Sequence, residues 1–365
     1  MKFACNFAAG LLSLLPALVF AESDIDRLIA DTGIRKGSVH ARDLPGWQGA
    51  DKILVSDFGG LAGELQPHFP NINFVAFSSI ADAKQHAAGA DAIIGTCDAD
   101  LLAAAPDVKW VQVFSAGVDR CIPNEGIESG RVMLTNMQKM SSPVLAEHAI
   151  TMVMSLARGL IAHGKLMKTG EWRRRDPSTA QIESVSGKTL LVVGLGGIGT
   201  EVAKRGAAVG MRVIGTRRSS REGPDFVEYV GLSDELFKLA AEADYIVNAL
   251  PLTDETRGIF DAAFFEAAKD GAYFVSIGRG ASTVTDDLIA AMKSGKISGA
   301  GLDVTDPEPL PSNHPLWQMQ NVIITPHIGS AGGNRDRHRV LLRENLRRFV
   351  AGDALYNVVD PAKGY

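Results

Sequence analysis

Three side chains of unlike chemistry stand in short polar segments, each of which follows an apolar run. Arg279 lies in residues 276–280 (Ser-Ile-Gly-Arg-Gly), Glu308 in 303–310 (Asp-Val-Thr-Asp-Pro-Glu-Pro-Leu) and His327 in 325–330 (Thr-Pro-His-Ile-Gly-Ser). Segments that leave the strands of a parallel sheet meet at its carboxyl edge, where open α/β folds bind ligands. There a guanidinium can hold a carboxylate, an imidazole can deliver a proton near neutral pH, and a carboxylate can orient that imidazole. Singly, each has an ordinary explanation as a solvated arginine, a loop acid or a core histidine. Together they suit the reduction of a 2-keto acid, given a bound hydride source.

The chain carries a site for such a source. Gly194-Leu195-Gly196-Gly197-Ile198-Gly199 fits G-x-G-x-x-G, after a buried-strand pattern at 189–193 and before a helical one at about 198–209. Gly194 allows the tight turn, Gly196 lets the backbone approach a pyrophosphate, Gly199 permits close helix-strand packing, and the helix N-terminus attracts the anion. About 20 residues further on, where an acid binds the ribose hydroxyls of NAD, the chain reads Gly215-Thr216-Arg217-Arg218-Ser219. A carboxylate would repel a 2′-phosphate, whereas an arginine fork with a neighbouring hydroxyl binds it. The pattern therefore predicts NADP(H), held by Arg217, Arg218 and Ser219, over NAD(H); the alternative is a solvated arginine loop.

These sites need elements to position them, and 365 residues suffice for about two domains. Apolar runs at 52–56, 72–77, 92–95 and 110–114 read as buried strands separated by Ala-rich helical segments. A second such series runs through 189–193, 212–215, 245–248, 273–276 and 322–324. This alternation predicts parallel sheets covered on both faces. Residues 143–163 read as one long helix bridging the domains, capped by Ser141 or Ser142, and about 334–351 as a final helix with a solvated arginine-rich face.

Composition narrows the function classes. With 46% apolar and 22% charged residues, a net charge of −5 and scattered basic residues, the chain shows no footprint for nucleic acid. Three cysteines, Cys5, Cys97 and Cys121, are too few and too irregularly spaced for a disulfide framework or a zinc knuckle, so no metal is expected. Lys2, the apolar run from Leu11 to Phe20 and Val19-Phe20-Ala21 before Glu22 read as a signal peptide, residues 1–21, cleaved after Ala21. That implies export to the periplasm; an uncleaved segment would leave the chain cytoplasmic. No later stretch reaches the length of a membrane span.

On these motifs the chain resembles the D-isomer-specific 2-hydroxyacid dehydrogenase family, in its glyoxylate/hydroxypyruvate reductase-like branch. The match runs from about Lys52 to Asn357 and includes the order Arg279, Glu308, His327, the loop Ser115-Ala116-Gly117-Val118-Asp119, and Ala146-Glu147-His148. The resemblance implies an α/β fold in which a Rossmann dinucleotide-binding domain, residues 143–325, is inserted in a flavodoxin-like α/β substrate domain made of 22–142 and 326–365. It also implies a cleft closing by hinge motion and a homodimer held through the cofactor domains.

Carried over residue by residue, Arg279 would hold the substrate carboxylate and polarise the keto oxygen, and His327 would protonate that oxygen. Glu308 would hydrogen-bond the other ring nitrogen and favour the protonated ring. Backbone N–H groups of Ala116, Gly117 and Val118 would form a nest for the carboxylate. Gly197 and Ile198 would meet the pyrophosphate, Leu250, Pro251, Thr256 and Ile277 would wall the cofactor, and Asp303 would face the nicotinamide amide. Two places depart from the pattern: Val284-Thr285 replaces the frequent Asp-Glu, and Met137-Gln138-Lys139-Met140 is bulkier than usual, which bears on the substrate pocket. The leader is a further departure, since free NADP is expected in the cytoplasm.

The leading expectation is thus an NADP-dependent reductase of small 2-keto acids. The alternative from another class is a dinucleotide-binding sensor or corepressor-like protein that kept the fold and lost turnover. The intact Arg279, Glu308 and His327 argue against it, since a sensor needs no proton donor. Phosphoglycerate dehydrogenase and formate dehydrogenase are rivals within the class, disfavoured by Arg217 and by the Glu308 pairing of His327 respectively.

Overall fold

The computed structural model describes residues 16–57, 59–174 and 182–364, with the side chains of 16–23 left aside. Most of the expected leader lies outside these residues. Helix α1 (Pro16–Thr32) contains the expected cleavage position, and beyond it Ile25 and Leu28 are buried in the first core.

The first unit contains β1 (Lys36–His40), β2 (Lys52–Ser56), α2 (Leu61–Leu65), β3 (Asn73–Phe77), α3 (Ile80–Gln85), β4 (Ala92–Ile94), α4 (Ala99–Ala104), β5 (Trp110–Gln112), α5 (Glu125–Glu128) and β6 (Met133–Thr135). Strands β2 to β6 form a five-stranded parallel sheet in the order β3-β2-β4-β5-β6, the flavodoxin-like arrangement. The central residues of β2, β4, β5 and β6 are buried on both faces, which is why these strands read as continuous apolar runs and not as alternating ones, while the edge strand β3 is only partly covered.

Next come α6 (Ser142–Ala157), α7 (Leu160–Thr169), β7 (Thr189–Val193), α8 (Gly197–Ala208), β8 (Arg212–Thr216), β9 (Tyr229–Gly231), α9 (Leu236–Ala240) and β10 (Tyr245–Asn248). They are followed by α10 (Ala262–Ala267), β11 (Ala272–Ser276), α11 (Thr285–Ser294), β12 (Ile297–Leu302), β13 (Val322–Ile324), α12 (Arg335–Ala351) and β14 (Ala354–Tyr356). The second sheet has seven parallel strands in the order β13-β12-β11-β10-β7-β8-β9, reversing direction beside β7 as a Rossmann sheet does. Nothing in the sequence marks strand β12, because its Ile-Ser-Gly-Ala-Gly-Leu lacks the β-branched run of its neighbours.

The last helix returns to the first unit. Leu341, Leu342, Leu346 and Phe349 of α12 join Ile53, Val55 and Trp110 in one core, and β14 pairs antiparallel with β1. Asn345, fully buried, donates from Nδ2 to Tyr356 O (3.1 Å) and Gln112 Oε1 (3.2 Å), while its Oδ1 accepts from Tyr356 N–H (2.8 Å). The arginine face of α12 is not simply solvated. Arg337 pairs with Asp31 of α1 (3.4 Å) and Arg339 with Glu64 of α2 (3.0 Å), while Arg348 pairs with Glu344 (2.6 Å) and lies over the Tyr356 ring.

The long bridging helix is also corrected. It breaks after Ala157, where Gly159 takes φ +63°, and α7 leaves at 68° to α6. The left-handed conformation at Gly159 turns the chain at low cost because no Cβ is present. Ser141 is the N-cap residue of α6, and the bulky Met137 and Met140 are buried in the first core.

Candidate active site

The glycine-rich turn leaves β7 at the carboxyl edge. Gly194 adopts φ +95°, and its N–H donates to Thr216 Oγ1 at the end of β8 (3.1 Å), while Leu195 N–H donates to Thr216 O (2.8 Å). A Cβ on Gly199 would overlap Gly194 O, so only glycine lets α8 start this close to β7, whereas one on Gly196 would meet nothing within 4 Å. That open side of the α8 N-terminus is where a pyrophosphate fits. Gly197 has a second duty, since a Cβ there would lie 2.8 Å from Lys139 Cγ and 3.1 Å from Ser142 Oγ in the segment leading into α6. Ile198 follows in the first turn of α8.

At the end of β8 the two arginines separate. Arg218 pairs with Glu255 (3.1 Å). Arg217 is held by its backbone N–H to Gly231 O (3.0 Å), and its side-chain Nε is buried with no hydrogen-bond partner among the described residues. A buried guanidinium N–H without an acceptor is costly. An anionic oxygen from a ligand would satisfy it, and the residue fits a 2′-phosphate. Ser219 is exposed beside them.

Opposite, the wall of the cofactor site depends on a residue that sequence reading missed. Asn248, fully buried at the end of β10, donates to Ser276 Oγ (3.1 Å) and Ser282 Oγ (2.8 Å) and accepts from Leu250 N–H (3.0 Å). It thereby ties the turn of Leu250, Pro251 and Thr256 to the Arg279 loop, whose Arg279 O accepts from Ser282 Oγ (2.6 Å). Thr256 Oγ1 closes the turn on Pro251 O (2.7 Å), and Ile277 is buried beneath, its N–H on Asn248 O (3.1 Å). Thr285 Oγ1 donates to Asp306 O (2.8 Å), so the Val284-Thr285 departure ties the start of α11 to the loop that carries Glu308.

Arg279 emerges from β11 toward the first unit. Its Nε donates to Asp119 Oδ1 (3.0 Å) and its Nη1 to Gly278 O (3.0 Å), and its Nη2 lies against Gly117, where any Cβ would overlap it. The loop facing it is asymmetric in its hydrogen bonding. Ala116 O accepts from Asn136 Nδ2 (2.8 Å), Gly117 O from Ser115 Oγ (2.7 Å), and Val118 O from the N–H groups of Cys121 (2.8 Å) and Ile122 (3.1 Å). Among the described residues no group accepts from the N–H groups of Ala116, Gly117 or Val118. Three unengaged donors beside a guanidinium make a seat for a carboxylate.

His327 follows β13 with φ +53°, a conformation held from several sides. Its N–H donates to Asp303 O (2.8 Å), and the Asp303 carboxylate accepts from Thr325 Oγ1 (2.6 Å), Ile328 N–H (2.9 Å) and Gly329 N–H (2.9 Å). Asp303 is 2% exposed, so the acid expected to face the nicotinamide amide anchors the histidine loop with both oxygens. His148 of α6 approaches Thr325 Oγ1 (2.9 Å). Because that hydroxyl gives its hydrogen to Asp303, His148 Nε2 must be the donor. Glu308 Oε1 stands 2.8 Å from His327 Nδ1; the carboxylate only accepts, so Nδ1 carries the hydrogen and Nε2 is the atom left for chemistry.

Every residue expected from the sequence thus falls at the carboxyl edge of the second sheet or on the facing 115–119 loop. Asp119, His148, Asn248, Thr216 and Thr325 complete the site. Asp119 and His148 stood in the quoted motifs, whereas nothing in the sequence marks Asn248 apart from its position at a strand end.

Comparison with known proteins agrees. Residues 150–329 match the family model for the D-isomer specific 2-hydroxyacid dehydrogenase NAD binding domain. The human glyoxylate reductase/hydroxypyruvate reductase is 34% identical over 258 residues, 69% of this chain and 77% of that one. The solved structure of an NADPH-dependent glyoxylate/hydroxypyruvate reductase from Sinorhizobium meliloti, in complex with NADP and sulfate, superposes with a TM-score of 0.74 at 30% identity over 86% of this chain and all of that one. A D-isomer specific 2-hydroxyacid dehydrogenase from Xanthobacter autotrophicus Py2, in complex with NADPH and MES, gives 0.72 at 27% over 87% of this chain and all of that one. With this geometry and these relatives, the chain belongs to the D-isomer-specific 2-hydroxyacid dehydrogenase family and is an NAD(P)-dependent dehydrogenase.

Proposed function

We propose that the protein reduces small 2-keto acids of the glyoxylate or hydroxypyruvate type to D-2-hydroxy acids, with NADPH in preference to NADH. The observation that carries the substrate half is the row of idle N–H groups at Ala116, Gly117 and Val118 beside the Arg279 guanidinium. The cofactor half rests on the buried, unpartnered Nε of Arg217. The substrates and cofactors named for the relatives support both.

When bound, the dinucleotide supplies the hydride. The chain supplies the rest. The 116–118 N–H groups and Arg279 hold the substrate carboxylate, and the same guanidinium stabilises the charge that develops on the keto oxygen. His327 gives that oxygen its proton from Nε2, while Glu308 fixes the ring through Nδ1. A panel of small 2-keto acids assayed with NADPH and NADH, followed by loss of reduced-nicotinamide absorbance, tests the proposal. Tight NADPH binding with no turnover of any acid would favour the sensor instead.

The homodimer is part of the same reading. Helix α7 buries no residue of its own, and Leu160, Met167 (77% exposed) and Trp172 (94% exposed) stand in solvent on and just after it. A second copy would cover this arm, and sedimentation of the wild type against Met167→Glu checks it. Export rests on the leader alone; protein recovered from its host should begin at Glu22.

A further inference from the structure

The spacing of the cysteines suggested no disulfide framework, yet the structure joins Cys97 to Cys121, with Cα atoms 5.4 Å apart across 24 residues of sequence. The bond lies at an informative place. Cys97 immediately precedes Asp98, the N-cap of α4, whose Oδ1 accepts from Leu101 N–H (2.9 Å). Cys121 ends the loop that carries the idle 116–118 donors and Asp119, and its own N–H closes the turn on Val118 O (2.8 Å). The near end of that loop is held to the segment that follows β6 by Met137 N–H on Ser115 O (3.0 Å). The far end is held by the cross-link, which fastens it to the start of α4. Cys121 is buried in the second core cluster of the first unit and Cys97 packs at its margin.

We propose that the Cys97–Cys121 disulfide is a functional cross-link that preorganises the carboxylate-binding loop, formed when the chain reaches an oxidising compartment. Disulfides persist in such compartments and are rare in the cytosol, and the leader points to the same destination. Cleavage after Ala21 would also remove Cys5, leaving these two as the only cysteines of the mature chain, with no competing partner. In forming the bond the two thiols lose two protons and two electrons to a disulfide-bearing oxidant, which leaves as a dithiol after passing through a mixed disulfide. Dithiothreitol reverses it: its thiolate attacks the more accessible Cys97 sulfur, its second thiol resolves the mixed disulfide, and the cyclic reagent disulfide departs.

The consequence for substrate binding rests on the 2-keto acid reading; the bond itself does not. Mature protein recovered from an oxidising compartment is treated with N-ethylmaleimide in denaturant before and after dithiothreitol, and the modified peptides are mapped. Label should be absent from Cys97 and Cys121 before reduction and present on both after it. In native protein, reduction should speed amide exchange across 113–122 about tenfold and raise the glyoxylate KM by a similar factor, with NADPH affinity unchanged. Cys97→Ser with Cys121→Ser should reproduce the reduced enzyme. Labelling of both thiols without reduction overturns the proposal, as does exchange in this loop that reduction leaves untouched. Should no 2-keto acid be turned over, the functional reading fails, while labelling and exchange still decide the cross-link.

Discussion

Arg279 rests on the bare α-carbon of Gly117, with no room between them for a side chain of any size. This contact joins the two halves of the site, since the arginine leaves the second sheet and the glycine belongs to a loop of the first. Gly117→Ala should displace the guanidinium and lower kcat/KM for glyoxylate by about a hundredfold, the usual penalty for misplacing a catalytic group by an ångström. Fluorescence titration of NADPH should show its affinity unchanged, which separates the effect from unfolding.

Proton delivery is tested at His327. His327→Ala should cut turnover by about two to four powers of ten with cofactor binding intact. Glu308→Ala, which frees the ring at Nδ1, should cost about ten- to a hundredfold through lost orientation. Steady-state assays with saturating NADPH measure both. Near-normal rates in His327→Ala would take the histidine out of the reaction.

On the proposed reading, cofactor choice turns on Arg217. Losing its contact to a 2′-phosphate should weaken NADPH about 10- to 100-fold, the value of a hydrogen bond to a charged group. Arg217→Asp should narrow or invert the preference, because the carboxylate repels that phosphate and accepts from the free hydroxyls of NADH. Arg218, paired with Glu255, can share the load and leave the switch partial. The ratio of kcat/KM for the two cofactors is the measurement; a wild type preferring NADH would refute the assignment.

Stability should depend on pH through His338 of α12. Its Nδ1 faces Asn334 O (3.3 Å), which only accepts, so the neutral ring receives the Ser141 hydroxyl hydrogen at Nε2 (3.3 Å), just before α6. Burial pushes this imidazole below its usual 6.5. The unfolded chain then binds the proton more readily than the folded one, so the contribution is complete above that value and is lost as pH falls through it. Thermal melts between about pH 8 and pH 5 should show a decline that His338→Gln flattens.

Much of this was legible in the sequence, for physical reasons. Strands buried on both faces, such as Thr189–Val193, read as apolar runs, and a glycine turn between strand and helix has few other uses. What escaped depends on distant neighbours. Asn248 is an ordinary strand residue until the fold brings Ser276 and Ser282 to it. Gly159 breaks a helix that apolar spacing alone carried through to His163. The partnering of Cys97 with Cys121 depends on two loops meeting, which no spacing rule for 24 residues encodes.

The hydrogen bond from Asn345 to Gln112 spans 233 residues of chain. On the ribosome, the first sheet is therefore made long before the helix that covers it. At about 5–20 residues per second, the gap is roughly 10 to 50 seconds. Through that interval Trp110 and its neighbours have no Phe349 to pack against, and the amino-terminal half presents an uncovered apolar face. The core of this half is thus complete only once α12 has been made. Until then the apolar face around Trp110 is open to whatever else in the cell can cover it.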